Sequence, residues 1–356
     1  MASGYFLTGI TTGNLINLIK RNGLGLHPKY LFRFSILLLY SFGTSFFKLS
    51  ERLFYAKKID EAACPEDIII IIGHWRSGTT FLHQLFNAIP GFTTPTVLDI
   101  GTPESFLVSK KILSPIIQRL LPSSRSTDNV SLDVNEPQED EFALFRATTS
   151  SPVEKLVFPE KNSFFLNDEC DFIPSDPLEK RWKKTLITFI KKLSLSGGGK
   201  IVLKNPFHSM RIIYLKKLFP KAKFIHICRN PINVIPSTIR MWEIEGKQNC
   251  LRDGDTAPSL ENAISIYNML LHKIKTDLNS LPENDYCTIR FEDLENNPVD
   301  TIRDSLDSIN LTLSNEQLHH LHQFVGSRGD YKKNRYQLPE EHAALIRSRL
   351  HHHIYE

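Results

Sequence analysis

Five consecutive isoleucines, Ile68–Ile72, run directly into Gly73-His74-Trp75-Arg76-Ser77-Gly78-Thr79-Thr80-Phe81. A continuous apolar, β-branched run closed by a glycine turn reads as a strand buried on both faces. Ser77 to Ala88 then reads as a helix. Strand, glycine-bracketed turn and helix in this order form a phosphate-cradling loop, where backbone N–H groups and a helix N-terminus receive an anion. Gly73 and Gly78 keep the spacing of the nucleotide-hydrolysing pattern Gly-x-x-x-x-Gly-Lys-Ser/Thr, but Thr79 stands where that pattern has Lys. Arg76 supplies a cation from inside the loop, with a planar set of donors suited to a cluster of anionic oxygens. The hydroxyls of Thr79 and Thr80 add donors at the first helical turn. The loop therefore points to a phosphate-bearing ligand and away from ATP hydrolysis.

The remaining pattern supplies a setting for such a loop. Lys200–Lys204, Lys223–Cys228 and Tyr286–Phe291 read as strands. Helices are expected over Arg181–Leu193, Ser209–Leu218, Pro231 to near Trp242, and Leu260–Leu278. A further helix is expected to start near Asn135, with Asn135 as cap and Pro137 in the first turn. Alternating strands and helices predict an α/β fold, a P-loop-like parallel sheet flanked by helices on both faces. Ligands of such sheets sit at the carboxyl ends of the strands. Glu243–Ser259 is polar and reads as a loop or lid. The 356 residues, 41% hydrophobic, divide into an N-terminal helical segment at 1–62, one large domain at 63–345 and a tail at 346–356.

A formal net charge of +4 fits a small anionic ligand or a membrane surface and is too weak to point to nucleic acid. The five cysteines are scattered and form no metal-binding or disulfide pattern, which predicts a reducing, cytoplasmic setting. Phe34–Phe47 carries no charge and is flanked by Arg33 and Lys48. At 14 residues it falls short of the roughly 20 that a spanning helix needs. It reads as a helix packed on the domain, as an interfacial helix giving residues 30–50 a peripheral membrane contact, or as a true span.

Gly73–Phe86 resembles the 5′-phosphosulfate loop of sulfotransferases that use 3′-phosphoadenosine 5′-phosphosulfate (PAPS). The Arg-Ser-Gly-Thr-Thr form is closest to a bacterial branch and to the tyrosylprotein sulfotransferases. The resemblance implies that Arg76, Ser77, Gly78, Thr79 and Thr80 hold the 5′-phosphosulfate and that Phe81 packs on adenine. Read alone, Phe81 is equally a core residue of the helix. The family binds the 3′-phosphate with an Arg at a strand end and a Ser on the next helix. Phe224–Pro231 through Ser237 matches this, including the eight-residue step from Arg229 to Ser237. Tyr286–Pro298 matches a structural strand–turn segment, its acidic pair favoured at a helix start. Near the C-terminus, Arg328, Lys332 and Lys333 resemble a basic loop that closes over the 3′-phosphate.

Sulfuryl transfer displaces a bridging oxygen on which negative charge builds, so it needs placed cations and a base for the acceptor hydroxyl, with no metal required. Lys204, before Asn205-Pro206, resembles the family lysine that contacts the transferring sulfate. For the base the order is Glu139, then Asp140, then His208. The two carboxylates also fit the bland role of a solvated helix start, and His208 is out of the family register. The expected reaction moves the sulfuryl group of PAPS to a hydroxyl of a small apolar acceptor, such as a sterol, another lipid or a hydrophobic metabolite, and releases PAP. A carbohydrate acceptor is the alternative within the class. A P-loop nucleoside or metabolite kinase and a non-catalytic PAP-binding protein are the alternatives outside it.

Overall fold

The computed structural model describes residues 6–23, 27–120, 133–161, 178–327 and 338–350. The chain forms two compact units, each assembled from separate stretches. One, Pro65–Thr94, Gly197–Ile239 and Ser259–Glu356, holds the sheet; the other, Met1–Cys64, Pro95–Ser196 and Arg240–Pro258, is helical.

Among the described residues the sheet unit contains five parallel strands: β1 (Ile69–Gly73), β2 (Phe92–Thr93), β3 (Lys200–Lys204), β4 (Lys223–Cys228) and β5 (Tyr286–Arg290). Their spatial order is β2-β3-β1-β4-β5. Ile71 pairs with Lys204 on one side of β1, and Gly73 with Ile227 on the other. Every isoleucine of the opening run is fully buried. On one face Ile69 and Ile71 join Leu82, Leu85 and Phe86 in a core that continues through Ile302 and Leu306. On the other the short 3-10 segment Pro206–Met210 packs on β1 and on the helix Leu260–Leu278. A fully buried isoleucine contributes about 1.5–3 kcal/mol, so this one strand supplies a large share of the unit's stability.

The strand order places β1 at a reversal. The chain leaves β1 toward β2 and β3 on one side, then crosses to β4 and β5 on the other. The crevice at the carboxyl end of such a strand is where open parallel sheets bind ligands. β2 went unforeseen because two residues between Gly91 and Pro95 carry no periodicity.

Two expectations are corrected. The helix expected near Asn135 starts at Asp140 (Asp140–Thr148), with Glu139 as its N-cap residue. Pro137 instead pairs with Thr96 in an isolated antiparallel bridge, where the N–H it lacks is not needed: Val97 N donates to Glu136 O and Gln138 N to Pro95 O. The helix beginning at Pro231 runs to Asn249, so Glu243–Asn249 is helical rather than loop. Glu243 and Lys247 pair at i,i+4, and Gly246 fits closely against Thr256, where a Cβ would lie 2.0 Å from its side chain.

In the helical unit the longest element is the helix Leu31–Glu61. It is built inside out. Ser45 accepts from Thr12 N at 2.9 Å, Thr44 Oγ1 donates to Ile10 O at 2.8 Å, and Lys48 pairs with Glu104 at 2.6 Å. Deepest of all is the ion pair between Glu51 and Lys192. Glu51 also accepts from Leu107 N at 2.8 Å, and Lys192 donates to Pro103 O at 2.7 Å while lying 4.3 Å from the Phe106 ring centroid. Burial pushes the Lys192 pKa down, opposed by the field of Glu51.

A buried pair is costly to leave half-made. Lys192→Met should destabilise the protein by about 3–5 kcal/mol in denaturant unfolding, because it strands the Glu51 carboxylate. The double variant Glu51→Leu/Lys192→Met should recover most of that loss; equal losses in the single and double variants would refute the pair's role.

Candidate active site

The loop after β1 is shaped by close backbone approaches. Gly73 has φ +149, and a Cβ there would lie 2.5 Å from Ile227 O. Gly78, at φ +103, lies against the Phe291 ring, 2.2 Å from where a Cβ would sit. Neither position accepts a side chain. Between them Ser77 Oγ donates to His74 O at 2.7 Å. Ser209 braces the start of the loop, accepting from Gly73 N at 2.9 Å and donating to Gly73 O at 3.2 Å. Gly78 is the N-cap of the helix Thr79–Asn87, so Thr79 and Thr80 occupy its first turn, where the positive end of the dipole lies.

Arg76 sits in the left-handed region at φ +68, uncommon for a residue with a side chain. Its Nε donates to Ser237 Oγ at 2.9 Å. Arg229, just past β4, donates from Nη1 to Arg76 O at 3.3 Å and stacks its guanidinium 4.1 Å from the Phe291 ring centroid. The structure thus joins Arg76 to Ser237 and Arg229, which the sequence pattern assigns to opposite ends of the donor. Lys204 ends β3 and is buried. Three cations therefore arise at the carboxyl ends of three neighbouring strands, beside one helix N-terminus. Such a cluster in a partly desolvated setting suits an anion with several charges.

Phe81 is half-buried and packs against the core between β1 and its helices. Pro206–Met210 follows Lys204, with Asn205 capping it by accepting from Phe207 N at 2.9 Å. His208 within it is buried, and its Nδ1 lies 3.5 Å from Asn205 Nδ2 and 3.4 Å from Arg211 Nη1. Both neighbours are donors, so Nδ1 is the acceptor and Nε2 carries the hydrogen. Glu139 and Asp140 belong to the helical unit. Glu139 is half-buried and makes no side-chain cap bond, while Asp140 is completely buried at the first helical position. Arg328, Lys332 and Lys333 lie outside the described residues.

Several contributors carry no sequence signal of their own. Phe291 supports both Gly78 and Arg229, and Ser209 and Tyr267 are distant in sequence from the loop. Tyr267 donates to Arg229 O at 3.4 Å and its ring lies 5.0 Å from that of His74. His74 Nδ1 lies 2.8 Å from Trp75 O and must donate to it, which leaves the lone pair on Nε2, a buried atom with no hydrogen-bond partner among the described residues.

A model of the Sulfotransferase family matches residues 67–315, which includes β1, the loop and every strand. The chain belongs to this family. It is 31% identical, over 93% of its length and 85% of the relative's, to the omega-hydroxy-beta-dihydromenaquinone-9 sulfotransferase Stf3 of Mycobacterium tuberculosis (strain CDC 1551 / Oshkosh). The Mycobacterium bovis protein of the same name gives the same values. The solved structure of sulfotransferase STF9 from Mycobacterium avium superposes with a TM-score of 0.67 at 15% identity, covering 94% of this chain and 88% of that one. Sulfotransferase STF1 from Mycobacterium tuberculosis H37Rv gives 0.58 at 16% identity, covering 95% and 90%. The parallel sheet seen here is thus the sulfotransferase fold.

Two histidines in this sulfotransferase give its stability a pH dependence. Burial pushes the imidazole of His74 down to about 4, against the bond to Trp75 O that raises it, and burial alone pushes His226 to about 4. The unfolded chain takes up these protons near pH 6.5, so above that value neither state gains. As pH falls from 6.5 toward 4 the unfolded state binds protons that the fold refuses, and stability drops by about 3 kcal/mol per histidine. Glu245 acts in the opposite sense, because burial pushes its carboxyl up to about 8, so the histidine contribution is read by comparing variants: relative to the wild type, His226→Gln should gain in melting temperature as pH falls from 6.5 toward 4. An unchanged profile in that variant would contradict this.

Proposed function

We propose that this sulfotransferase moves the sulfuryl group of PAPS to the hydroxyl of a lipid-like acceptor and releases PAP. The observation that carries the reading is the cluster of Arg76, Lys204 and Arg229 at three adjacent strand ends beside the N-terminus of the helix Thr79–Asn87. In this reading Arg76, the loop amides, Ser77, Thr79 and Thr80 hold the 5′-phosphosulfate. To do so Arg76 exchanges its bond to Ser237 for donor oxygens, which frees Ser237 to join Arg229 at the 3′-phosphate. Phe81 serves adenine, and Arg328, Lys332 and Lys333 close over the 3′-phosphate.

The step is a displacement at sulfur. The acceptor oxygen bonds to sulfur as the bond from sulfur to the bridging phosphate oxygen breaks, and the hydroxyl proton passes to a base. Lys204 meets the charge that grows on the leaving oxygen. Glu139 leads as the base, with Asp140 next. His208 ranks last because its one lone pair already faces the donors of Asn205 and Arg211. No metal is needed for any of these roles.

The two Stf3 relatives are named for a hydroxylated dihydromenaquinone, and identity over nearly the whole chain supports an acceptor of that kind, an apolar chain bearing a hydroxyl. The same chemistry supports a contact between residues 30–50 and a membrane, where such an acceptor resides.

Single-turnover transfer from radiolabelled PAPS to a hydroxylated polyprenyl acceptor tests the assignments. Lys204→Ala should lower the rate by roughly a hundredfold or more, as the loss of one positioned charge donor does. Glu139→Ala should lower it by about 10²–10⁴, the usual contribution of a general base. A wild-type rate in Glu139→Ala with a collapsed rate in Asp140→Ala would move the base to Asp140. No transfer by the wild-type protein would refute the function.

A further inference from the structure

The outward face of the helix Leu31–Glu61 is apolar where a soluble helix is polar. Phe32, Leu39, Phe46, Leu53 and Phe54 each keep between 67% and 79% of their surface exposed. At 3.6 residues per turn, the exposed apolar positions from Leu49 through Phe46 to Ile36 cover roughly 140° of the helix circumference. From Phe32 to Phe54 the strip is roughly 35 Å long at 1.5 Å per residue. The charged residues inside that interval are Arg33, Lys48, Glu51 and Arg52. Arg33 donates to Cys250 O, Glu51 is buried against the protein, and Lys48, still half-exposed, is tied to Glu104, leaving Arg52 at the flank. The neighbouring helix Phe106–Leu120, packed against it, exposes Ile112 and Ile116 as well. Scattered exposed apolar residues need no explanation, but a contiguous strip of this size does.

We propose that this strip is an interfacial anchor that lies in the plane of an anionic phospholipid bilayer. This deepens the lipid-acceptor reading and rests on it for the source of the apolar phase. Composition alone permits a span, since this helix is long and apolar enough to cross a membrane and only 11% of its most apolar window is buried. The inner face excludes it. Ser41, Thr44, Ser45, Lys48 and Glu51 are bonded to the rest of the helical unit, and a span would carry them and their charges into hydrocarbon. The helix therefore keeps its polar side on the protein and offers its apolar side outward, which is the geometry of a surface-lying helix.

Charge selects the lipid. Lys180, Lys183 and Lys184 of the helix Leu178–Gly197 are exposed and line a hollow with Ile59, Asp60 and Lys191 at the carboxyl end of the strip. Lys191 donates to Asp60 O at 3.3 Å, fixing this cluster to the long helix. Lysines beside an apolar helix face meet anionic headgroups while the apolar residues enter the acyl boundary. A second copy of the chain fits less well, because a two-helix seam uses a narrow stripe and would set this lysine cluster near like charge in a symmetric pair.

Flotation with vesicles of phosphatidylcholine alone, and of phosphatidylcholine mixed with phosphatidylglycerol, tests the anchor. The full chain should float with the mixed vesicles and bind more weakly in high salt. Leu39→Gln/Phe42→Gln/Phe46→Gln should lower vesicle partition at least ~tenfold, since three exposed apolar side chains no longer enter the bilayer. Lys180→Gln/Lys183→Gln/Lys184→Gln should remove most of the preference for the mixed vesicles. The exposed positions leave the fold intact, so both variants should keep the wild-type melting temperature and transfer to a short water-soluble alcohol. Wild-type protein that stays in solution, or a triple apolar variant that floats equally well, would overturn the anchor. So would a wild-type dimer that the apolar variant abolishes without any vesicle binding. Vesicle binding with no sulfuryl transfer by any form would instead refute the catalytic reading and leave the anchor standing.

Discussion

A strand buried on both faces leaves its chain only one place to do chemistry, the end where it emerges. β1 is such a strand, and its central place in the order β2-β3-β1-β4-β5 makes that end the point where the order of strand addition reverses. Everything at the candidate site hangs from this. Gly73 must be glycine because Ile227 of the adjacent strand lies against it, and Gly78 because Phe291 does. The turn they bracket holds Arg76 at a positive φ, with its side chain aimed at Ser237 and its carbonyl met by Arg229. Lysine in the usual place of a nucleotide-hydrolysing loop is replaced by a cation within the turn and two more from flanking strands. Charge is thereby spread over the width of three strands, which suits a ligand with anionic groups at both ends.

The helical unit answers a different physical demand. Its longest helix buries Ser41, Thr44 and Glu51 beside Leu37 and leaves most of its large apolar residues facing outward, so polar contacts supply much of its attachment. Glu51 and Lys192 satisfy each other and then bond the backbone of Leu107 and Pro103. Asn14 donates to Glu104, Arg146 O and Ala147 O and accepts from Arg181. Arg146, although buried, keeps its charge and donates to Thr8 O and Ile100 O. Networks of this kind tolerate little change, because each unmade bond leaves a desolvated group behind.

Much of the sheet unit was legible in the sequence, and for stated reasons. The strands β3 and β4 coincide with the apolar runs Lys200–Lys204 and Lys223–Cys228, because a parallel strand buried on both faces is written as a continuous run. The start of the helix at Pro231 was equally plain. The true start of the helix at Asp140 was hidden, since Asn135 and Pro137 imitate a cap that a tertiary bridge to Thr96 overrides. Of the residues named from motifs, Gly73 and Gly78 are those whose backbone geometry forces their identity, while Arg76, Lys204, Arg229 and Ser237 were named from their order and spacing. Those that act from a distance, such as Ser209 under Gly73 and Phe291 under Gly78, are ordinary residues in sequence and gain meaning only when the strands come together. The inverted long helix was half legible: its charge-free stretch was visible, but the tie of Lys48 to Glu104 and the inward turn of Glu51 depend on partners far along the chain.

The central claim is that the loop after β1 and the Arg229–Ser237 element together recognise a nucleotide phosphorylated at both the 5′ and 3′ positions. Calorimetric titration with PAP and with 5′-AMP isolates it, because the two ligands differ only in the 3′-phosphate. The account predicts that PAP binds at least ~tenfold more tightly, a difference of about 1.4 kcal/mol, and that Arg229→Ala removes the difference while 5′-AMP binding persists. Equal affinity for the two ligands in the wild-type protein, or a preference for PAP that survives Arg229→Ala, would contradict it.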